Sequence, residues 1–428
     1  MRNKYIYNIK NINDLLINLL FQSKYLDCVS ILLSNIDVKD VYPSDYVEYD
    51  LIAGIDSIVD LSTSDNAFLK LKNFHEKNLD WMFGYLSYDL KNELENLSSS
   101  NKDNIEANNL NFFIPRYVLL LKGHKLEILT YENRQKVDFL FKNIKKPIRN
   151  RYNIILEARE NKADYLKKIA KIKKHIQRGD IYEMNYCMEY FCHNVDVSPE
   201  ILFFDLNREA QTPFSIFFHM NDHYIISASP ERFLKRKNEK LLSQPIKGTI
   251  KRGNNDAEDK VLINELLASK KDISENIMIT DLVRNDFSKI ACKSSVNVEE
   301  LCKVYKFNHI HQMISTISAK VDKNKNFTEI LKSAFPMGSM TGAPKIRAME
   351  LIDHYEEFNR GIYSGAAGYI SPSGNFDFNV IIRTIIYNIQ KKYMSVSVGG
   401  AITANSEPEK EYEECLLKLK PILEVLSK

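Results

Sequence analysis

Along the first third of the chain, apolar runs are separated by polar connectors. "WMFGYLSYDL" (Trp81 to Leu90) and "FFIPRYVLLLKG" (Phe112 to Gly123) have the aromatic and aliphatic content of strands. Between them, "NLSSSNKDNIEANN" (Asn96 to Asn109) has loop composition, which predicts a mobile, exposed segment. The period then changes. In "KKIAKIKKHIQR" (Lys167 to Arg178), Ile169, Ile172 and Ile176 fall on one helical face and the lysines on the solvated one. A helix over Lys162 to Arg178 is predicted, ended by Gly179. Beyond it, "IYEMNYCMEYFCH" (Ile181 to His193) and "HYIISASPERFLKR" (His223 to Arg236) read as strands, punctuated by long helices. The strands are mostly consecutive, without a regular strand–helix alternation. That predicts an antiparallel α+β fold in place of a doubly wound one.

Two of the helical segments carry acids where a core-facing stripe should be apolar. In "NSEPEKEYEECLLKLKPILEVLSK", Ser406 and Glu409 have the spacing of a capping box, with Pro408 in the first turn. Glu411, Glu414, Lys418, Ile422 and Val425 then share one stripe. In "SKKDISENIMITDLVRNDFSKI", Asp272, Glu275, Ile279 and Leu282 repeat the arrangement. Like charges at this spacing destabilise an isolated helix, and half-buried carboxylates without partners cost several kcal/mol. Two readings answer that cost. Salt bridges to Lys271, Lys410 or Arg284 are one; the other is that the acidic pairs face each other around a hard divalent cation such as magnesium.

Composition narrows the classes. The chain has 428 residues, 44% hydrophobic and 27% charged, as soluble globular proteins do. A net charge of +3 gives no reason to expect nucleic acid or a membrane surface as partner. Cys28, Cys187, Cys192, Cys292, Cys302 and Cys415 form no C-x-x-C pair, and the first residues carry no apolar signal core. A reduced, cytoplasmic protein without structural zinc is expected. His309 and His311 would share one face of a strand but lack a third ligand nearby.

One lysine stands apart. In "QPIKGTIKRG", Lys247 lies between Ile246 and Gly248 where a strand runs into a turn. It is a solvated strand-end lysine or a nucleophile shielded from water, with a glycine that lets a substrate approach the backbone.

A set of segments bears on that choice. They are "GDIYEMN" (Gly179 to Asn185), "SPERFL" (Ser229 to Leu234), "QPIKGT" (Gln244 to Thr249), "ENIMITDLVRNDF" (Glu275 to Phe287) and "HQMIST" (His311 to Thr316). "FPMGSMTGAPKIRAMELI" (Phe335 to Ile352), "RGIYSGAAGYI" (Arg360 to Ile370), "IIRT" (Ile381 to Thr384) and "GGAI" followed by "SEPEKEYEE" complete it. In these motifs the sequence resembles the chorismate-utilising enzymes, and the first third does so chiefly through "FGYLSYDL". The resemblance implies the fold of those enzymes: two large antiparallel sheets packed as a sandwich with helices outside. It divides the chain into a variable N-terminal region, 1–155, and a catalytic domain, 156–428.

The resemblance also implies roles. Members that make anthranilate have alanine where Lys247 stands, whereas those that aminate the 4-position have lysine. Lys247 would attack C2 of chorismate while Glu231 protonates the departing C4 hydroxyl, and ammonia at C4 would then expel the lysine. Glu231 must therefore hold a proton near neutrality and Lys247 must lose one, by desolvation or a nearby cation. Glu275, Glu411 and Glu414 match the family's magnesium ligands, with Asp272 assisting. Tyr363, Arg383, Thr341 and Lys418 match positions that bind chorismate's carboxylates, and Gly399 and Gly400 would let backbone amides approach it. Glu183 departs from the pattern: many amine-transferring members have glutamine there and isochorismate-forming members lysine. The tryptophan-binding signature near "ILLSN" (Ile31 to Asn35) is incomplete, which implies no feedback by tryptophan. No segment resembles a glutamine amidotransferase or a lyase, so separate subunits are expected to supply ammonia and to finish 4-aminobenzoate. The rival readings are an anthranilate-forming enzyme and a non-catalytic chorismate-binding regulatory partner.

Overall fold

Two long strands, Leu51–Thr63 and Leu110–Lys122, organise the protein. The computed structural model describes residues 2–35, 46–139, 152–307 and 310–428. Within it these two strands pair antiparallel along their length, with a register slip between Ser57 and Val59 beside the left-handed Asp56. Such a bulge bends a ladder, and here each end of the ladder enters a different sheet. From Leu51–Ile55 one sheet runs through Cys28–Leu33, Phe214–Met220, His223–Ser229, Thr384–Asn388 and Tyr393–Ile402 to Glu183–Cys192. From Leu110–Phe113 the other runs through Met82–Leu86, Ala366–Ile370, Phe376–Val380, Arg232–Lys237 and Lys240–Gln244 to Ile310–Lys320. The last strand also pairs with Ile246–Lys251 and Asn297–Lys306.

The inner faces pack on each other. Tyr85 meets Phe218 edge-to-face at 5.4 Å between ring centroids, and Ile216, Ile225 and Ile386 of one sheet share a core with Phe83, Leu234 and Phe378 of the other. On the outer face of the first sheet, the helices Ile12–Ser23, Lys162–Gln177, Pro199–Ala210 and Pro408–Leu426 cover a second core that includes Tyr186, Ile169, Val396 and Leu419. Each fully buried Leu, Ile or Phe contributes roughly 1.5–3 kcal/mol. The α+β sandwich with helices outside is the architecture the sequence implied. Strands from both sides of residue 155 share the network, since Met82–Leu86 pairs with Ala366–Ile370. Among the described residues, no helix is long and apolar enough to cross a membrane.

Several local expectations need amendment. The helix expected over Lys162 to Arg178 ends as predicted, with Arg178 as its cap and Gly179 at φ +80°. Asn96 to Asn109 forms no helix or strand, and it is anchored at two points. Ile105 is buried, its carbonyl accepts from Asn388 Nδ2 at 3.0 Å, and Asn101 Nδ2 donates to the Asp353 carbonyl at 2.9 Å. The capping box at Ser406 does not form. Ser406 Oγ instead accepts from the Thr403 amide at 3.1 Å, Glu409 pairs with Lys162, and the helix begins at Pro408. His311 is fully buried against Asp259 Oδ1 at 2.8 Å, while His309 lies outside the described residues.

Candidate active site

Lys247 stands on a strand that slips out of register. Ile246–Lys251 pairs with Ile310–Lys320 except between Ile246 and Thr249, where the ladder shifts and Gly248 adopts φ +90°. That conformation favours glycine. A Cβ on Gly248 would also lie 3.0 Å from the Asp272 Cβ, so the missing side chain lets the helix Lys270–Ser288 come up against the slip. Asn276 on that helix donates through Nδ2 to the Lys247 carbonyl at 3.3 Å and to the Met313 carbonyl at 3.1 Å. The backbone that carries the lysine is therefore held from both sides.

The amine itself is enclosed. Lys247 Nζ lies 2.7 Å from Glu183 Oε1, with the lysine side chain 10% and the glutamate side chain 1% exposed. Glu183 opens the strand Glu183–Cys192, and its neighbour across the ladder is Ala343 of the "MTGAPK" segment. Burial pushes the lysine pKa down, but the charges of Glu183, Glu275 and Glu231 outweigh it, and the net shift is upward. Lys247 rests as an ammonium. Burial supplies the desolvation the resemblance required, while the neighbouring acids favour the ammonium.

Glu231 owes its place to a break in what read as one strand. His223–Ser229 and Arg232–Lys237 are separate, with Pro230 and Glu231 between them. Proline cannot donate to the ladder, and there the Glu231 amide bonds Ser229 Oγ at 3.3 Å while its carbonyl accepts from Val380 at 3.0 Å. The side chain is 5% exposed. Burial pushes its pKa up to about 7, against an opposing pull from Ser339, Lys247 and the Ile246 backbone. A carboxyl that keeps its proton near neutrality is able to act as a general acid.

The two acid-bearing helices converge. Lys271 Nζ lies 2.7 Å from Glu411 Oε1, 3.9 Å from Glu414 Oε2 and 4.0 Å from Glu275 Oε1. Of the salt-bridge partners named from sequence, Lys271 alone does this; Lys410 pairs with Glu407 and Arg284 with Asp281. Asp272 is set apart, because its carboxylate bonds Ser269 Oγ at the helix N-terminus, where Ser269 caps the Asp272 amide. Burial pushes Glu275 up to about 7, whereas Lys418 holds Glu414 down to about 2 despite burial. Among the described residues, no group of three or more His, Cys, Asp or Glu is arranged to hold a metal as it stands. The chemistry of the donors nevertheless fits a hard divalent cation. Three carboxylates surround the Lys271 ammonium, Glu275 Oε1 is buried with no hydrogen-bond partner, and the lysine side chain is 35% exposed, with room to leave.

The remaining residues flank this cluster. Lys418 Nζ bonds Glu414 Oε1 at 2.7 Å and the Gly399 carbonyl at 2.9 Å. Gly400 faces inward: a Cβ there would sit 3.7 Å from Lys418 Nζ and 3.8 Å from Glu411 Oε2. Gly399 faces the neighbouring strand, where a Cβ would come within 2.5 Å of Cys187 Sγ. Arg383 takes φ +53°, and its Nη1 donates to the Lys418 carbonyl at 3.2 Å; burial lowers its pKa against the pull of Tyr363 and Glu414. Tyr363 is buried beside Cys187, with 3.9 Å between Oη and Sγ. Thr341 is fully buried, and its hydroxyl donates to the Met337 and Gly338 carbonyls at 3.2 Å.

Residues that pattern reading passed over support the site from behind. Arg360 pairs with Glu356 at 2.6 Å, both 1% exposed, and Arg360 Nη2 holds the Asn185 carbonyl at 2.8 Å. Glu356 in turn accepts from the Cys187 amide at 2.8 Å. Their i, i+4 spacing was visible in the sequence, but it is the spacing of any solvated helix pair.

Comparison with known proteins places the chain in a family. The chorismate binding enzyme family matches residues 48–424, and the chain belongs to that family. The chain is similar to aminodeoxychorismate synthase component 1 of Salmonella typhimurium, 33% identical over 80% of this chain and 76% of that protein. It is 37% identical to the aminodeoxychorismate synthase of Streptomyces griseus over 63% of this chain, which is only 37% of that longer protein. Anthranilate synthase component 1 of Thermus thermophilus is 30% identical over 80% of this chain and 76% of its own. Among solved structures, anthranilate synthase component I of Streptococcus pneumoniae superposes with TM-score 0.77 at 22% identity, covering 87% of this chain and 91% of that one. MenF, the isochorismate synthase of Escherichia coli, gives 0.79 at 17%, covering 100% and 94%. At such identities these structures speak for the fold alone.

Proposed function

We propose that this protein is component I of an aminodeoxychorismate synthase, which replaces the C4 hydroxyl of chorismate with an amino group. The observation that carries this is the pairing, in one buried site, of the enclosed amine of Lys247 with Glu231, a carboxyl protonated up to about pH 7. An amine at this place suits covalent attack at C2 and obstructs ammonia there. A neutral carboxyl suits protonation of the departing C4 hydroxyl. The anthranilate reading is weaker on both counts, although relatives of that name are 30% identical.

The chain's residues divide the work. Lys247 forms the C2–N bond as C4–O breaks and Glu231 gives its proton to the leaving water; ammonia then bonds to C4 and the lysine departs. Arg383 and Lys418, with Tyr363 and Thr341, would fix the substrate's carboxylates. Arg383 presents a planar fork and Lys418 a point charge. Glu275, Glu411 and Glu414 would hold magnesium, with Asp272 more remote, once Lys271 leaves the cluster. Bound there, the ion would supply Lewis-acid neutralisation of a substrate carboxylate. A glutamine amidotransferase subunit would supply ammonia, and a separate lyase would release 4-aminobenzoate for folate synthesis in the cytoplasm.

The test is product identity. Purified protein is given chorismate, magnesium and ammonium, with a lyase added to convert aminodeoxychorismate to 4-aminobenzoate. Formation of 4-aminobenzoate supports the reading. Fluorescent anthranilate instead, or chorismate bound and not consumed, overturns it.

A further inference from the structure

A lysine side chain is an ammonium near neutral pH, and attack by Lys247 requires the neutral amine. Glu231 cannot take the surplus proton, because it must arrive at the reaction already protonated. Glu275 lies toward the Lys271 cluster, with the Lys271 ammonium 4.0 Å from an oxygen that has no hydrogen-bond partner. Asp272, beneath Gly248, is engaged with Ser269. One acceptor remains within reach. Glu183 Oε1 lies 2.7 Å from Lys247 Nζ, across 64 residues of sequence.

We propose that Glu183 is the catalytic base of this protein, taking a proton from Lys247 before it attacks and returning it when the lysine leaves. The assignment rests on the reading that Lys247 is the nucleophile, and gives a role to Glu183 of "GDIYEMN", which the chemistry above left idle. Three features support it. Oε1 is aligned on the ammonium at hydrogen-bond distance. Oε2 is buried with no partner, so Glu183 gains a proton without breaking another bond. The side chain is 1% exposed, which keeps that proton from exchanging with water while the lysine is occupied.

The protons balance. Lys247 passes H⁺ to Glu183 and becomes a neutral amine. Its lone pair forms the C2–N bond, both ring double bonds shift by one bond toward C4, and C4–O breaks as Glu231 protonates the hydroxyl to water. The lysine nitrogen is now a secondary ammonium. Ammonia bonds to C4, both double bonds shift back, and the C2–N bond breaks with its electrons returning to nitrogen. The product leaves with its ammonium proton going to Glu231, while Glu183 restores the proton to Lys247. The net change is chorismate and ammonia to aminodeoxychorismate and water.

Single-turnover loss of chorismate, followed at constant free ammonia with magnesium present, tests the assignment. Wild-type protein should show a rate that does not rise with pH through the neutral range. Glu183→Gln keeps shape and burial but accepts no proton. It should be slower by about 10²–10³-fold near neutrality, and below about pH 7, where Glu231 still holds its proton, its rate should climb about tenfold per pH unit as solvent takes the proton instead. Glu183→Asp, which keeps the carboxylate, should recover part of the rate without that slope. A glutamine variant with wild-type rate and profile overturns the proposal, as does an aspartate variant with the glutamine variant's slope. If the glutamine variant does not fold, as judged by its melting curve, the aspartate profile decides. Wild-type protein that forms no aminodeoxychorismate overturns the functional reading itself, a result separate from either variant's.

Discussion

Glu231 should cost this protein stability in proportion to its usefulness. In the folded state its pKa is raised from 4.5 to about 7, chiefly by burial. At pH values below 4.5 the side chain is neutral folded or unfolded, and burial carries no ionisation penalty. As pH rises the unfolded chain releases its proton first, so stability is lost until the folded carboxyl titrates too, near pH 7. At about 1.4 kcal/mol per pKa unit, the loss is about 3 kcal/mol above neutrality. Glu231→Gln removes the titration and keeps the shape. With an unfolding entropy of about 2.1 cal/mol/K per residue, a chain of 428 residues should melt about 3 °C higher as the glutamine variant at pH 8. The gain should vanish at about pH 4.5. Scanning calorimetry of both proteins across this range provides the measurement, and activity should fall by about 10²–10⁴-fold in the same variant. A variant whose melting temperature tracks the wild type at every pH would refute the buried-acid argument.

Other residues give equally direct outcomes. Lys247→Ala should lower aminodeoxychorismate formation by about three or more powers of ten while leaving chorismate binding within a few-fold; Lys247→Arg should not restore it, since a guanidinium stays protonated. Isothermal titration of chorismate with product analysis reads both, and a fast alanine variant would remove Lys247 from the chemistry. Lys271→Met should tighten magnesium binding by about tenfold or more, because the ammonium now standing among Glu275, Glu411 and Glu414 no longer competes. Titration of the substrate-free protein checks this, and unchanged affinity would place the cation elsewhere. Gly248→Ala should cost about 1–3 kcal/mol and much of the activity, since φ +90° is strained for alanine and its Cβ would press on Asp272; a fully active variant of normal stability would show that the slip is not needed.

The sequence determined a good deal by itself. Consecutive aromatic and β-branched runs specified an antiparallel α+β protein, because the side-chain period of a strand is local and survives in a list of letters. It also marked the acids on two helical stripes, since stripes follow from helical geometry alone; Lys247 stood out beside Gly248 at a strand end, and Glu231 through the family resemblance. What it could not fix was which of these groups meet and in what charge state. Glu183 and Lys247 are 64 residues apart, and Lys271 finds Glu411 across 140. Reading His223 to Arg236 as one strand hid the break that turns Glu231 inward, because the break depends on ladders to Asn379 and Gln244 supplied from elsewhere in the chain. The protonated lysine and the neutral glutamate are products of burial and of charges brought close in space. Desolvation and Coulomb energy depend on distance in three dimensions, so only the tertiary structure decided them.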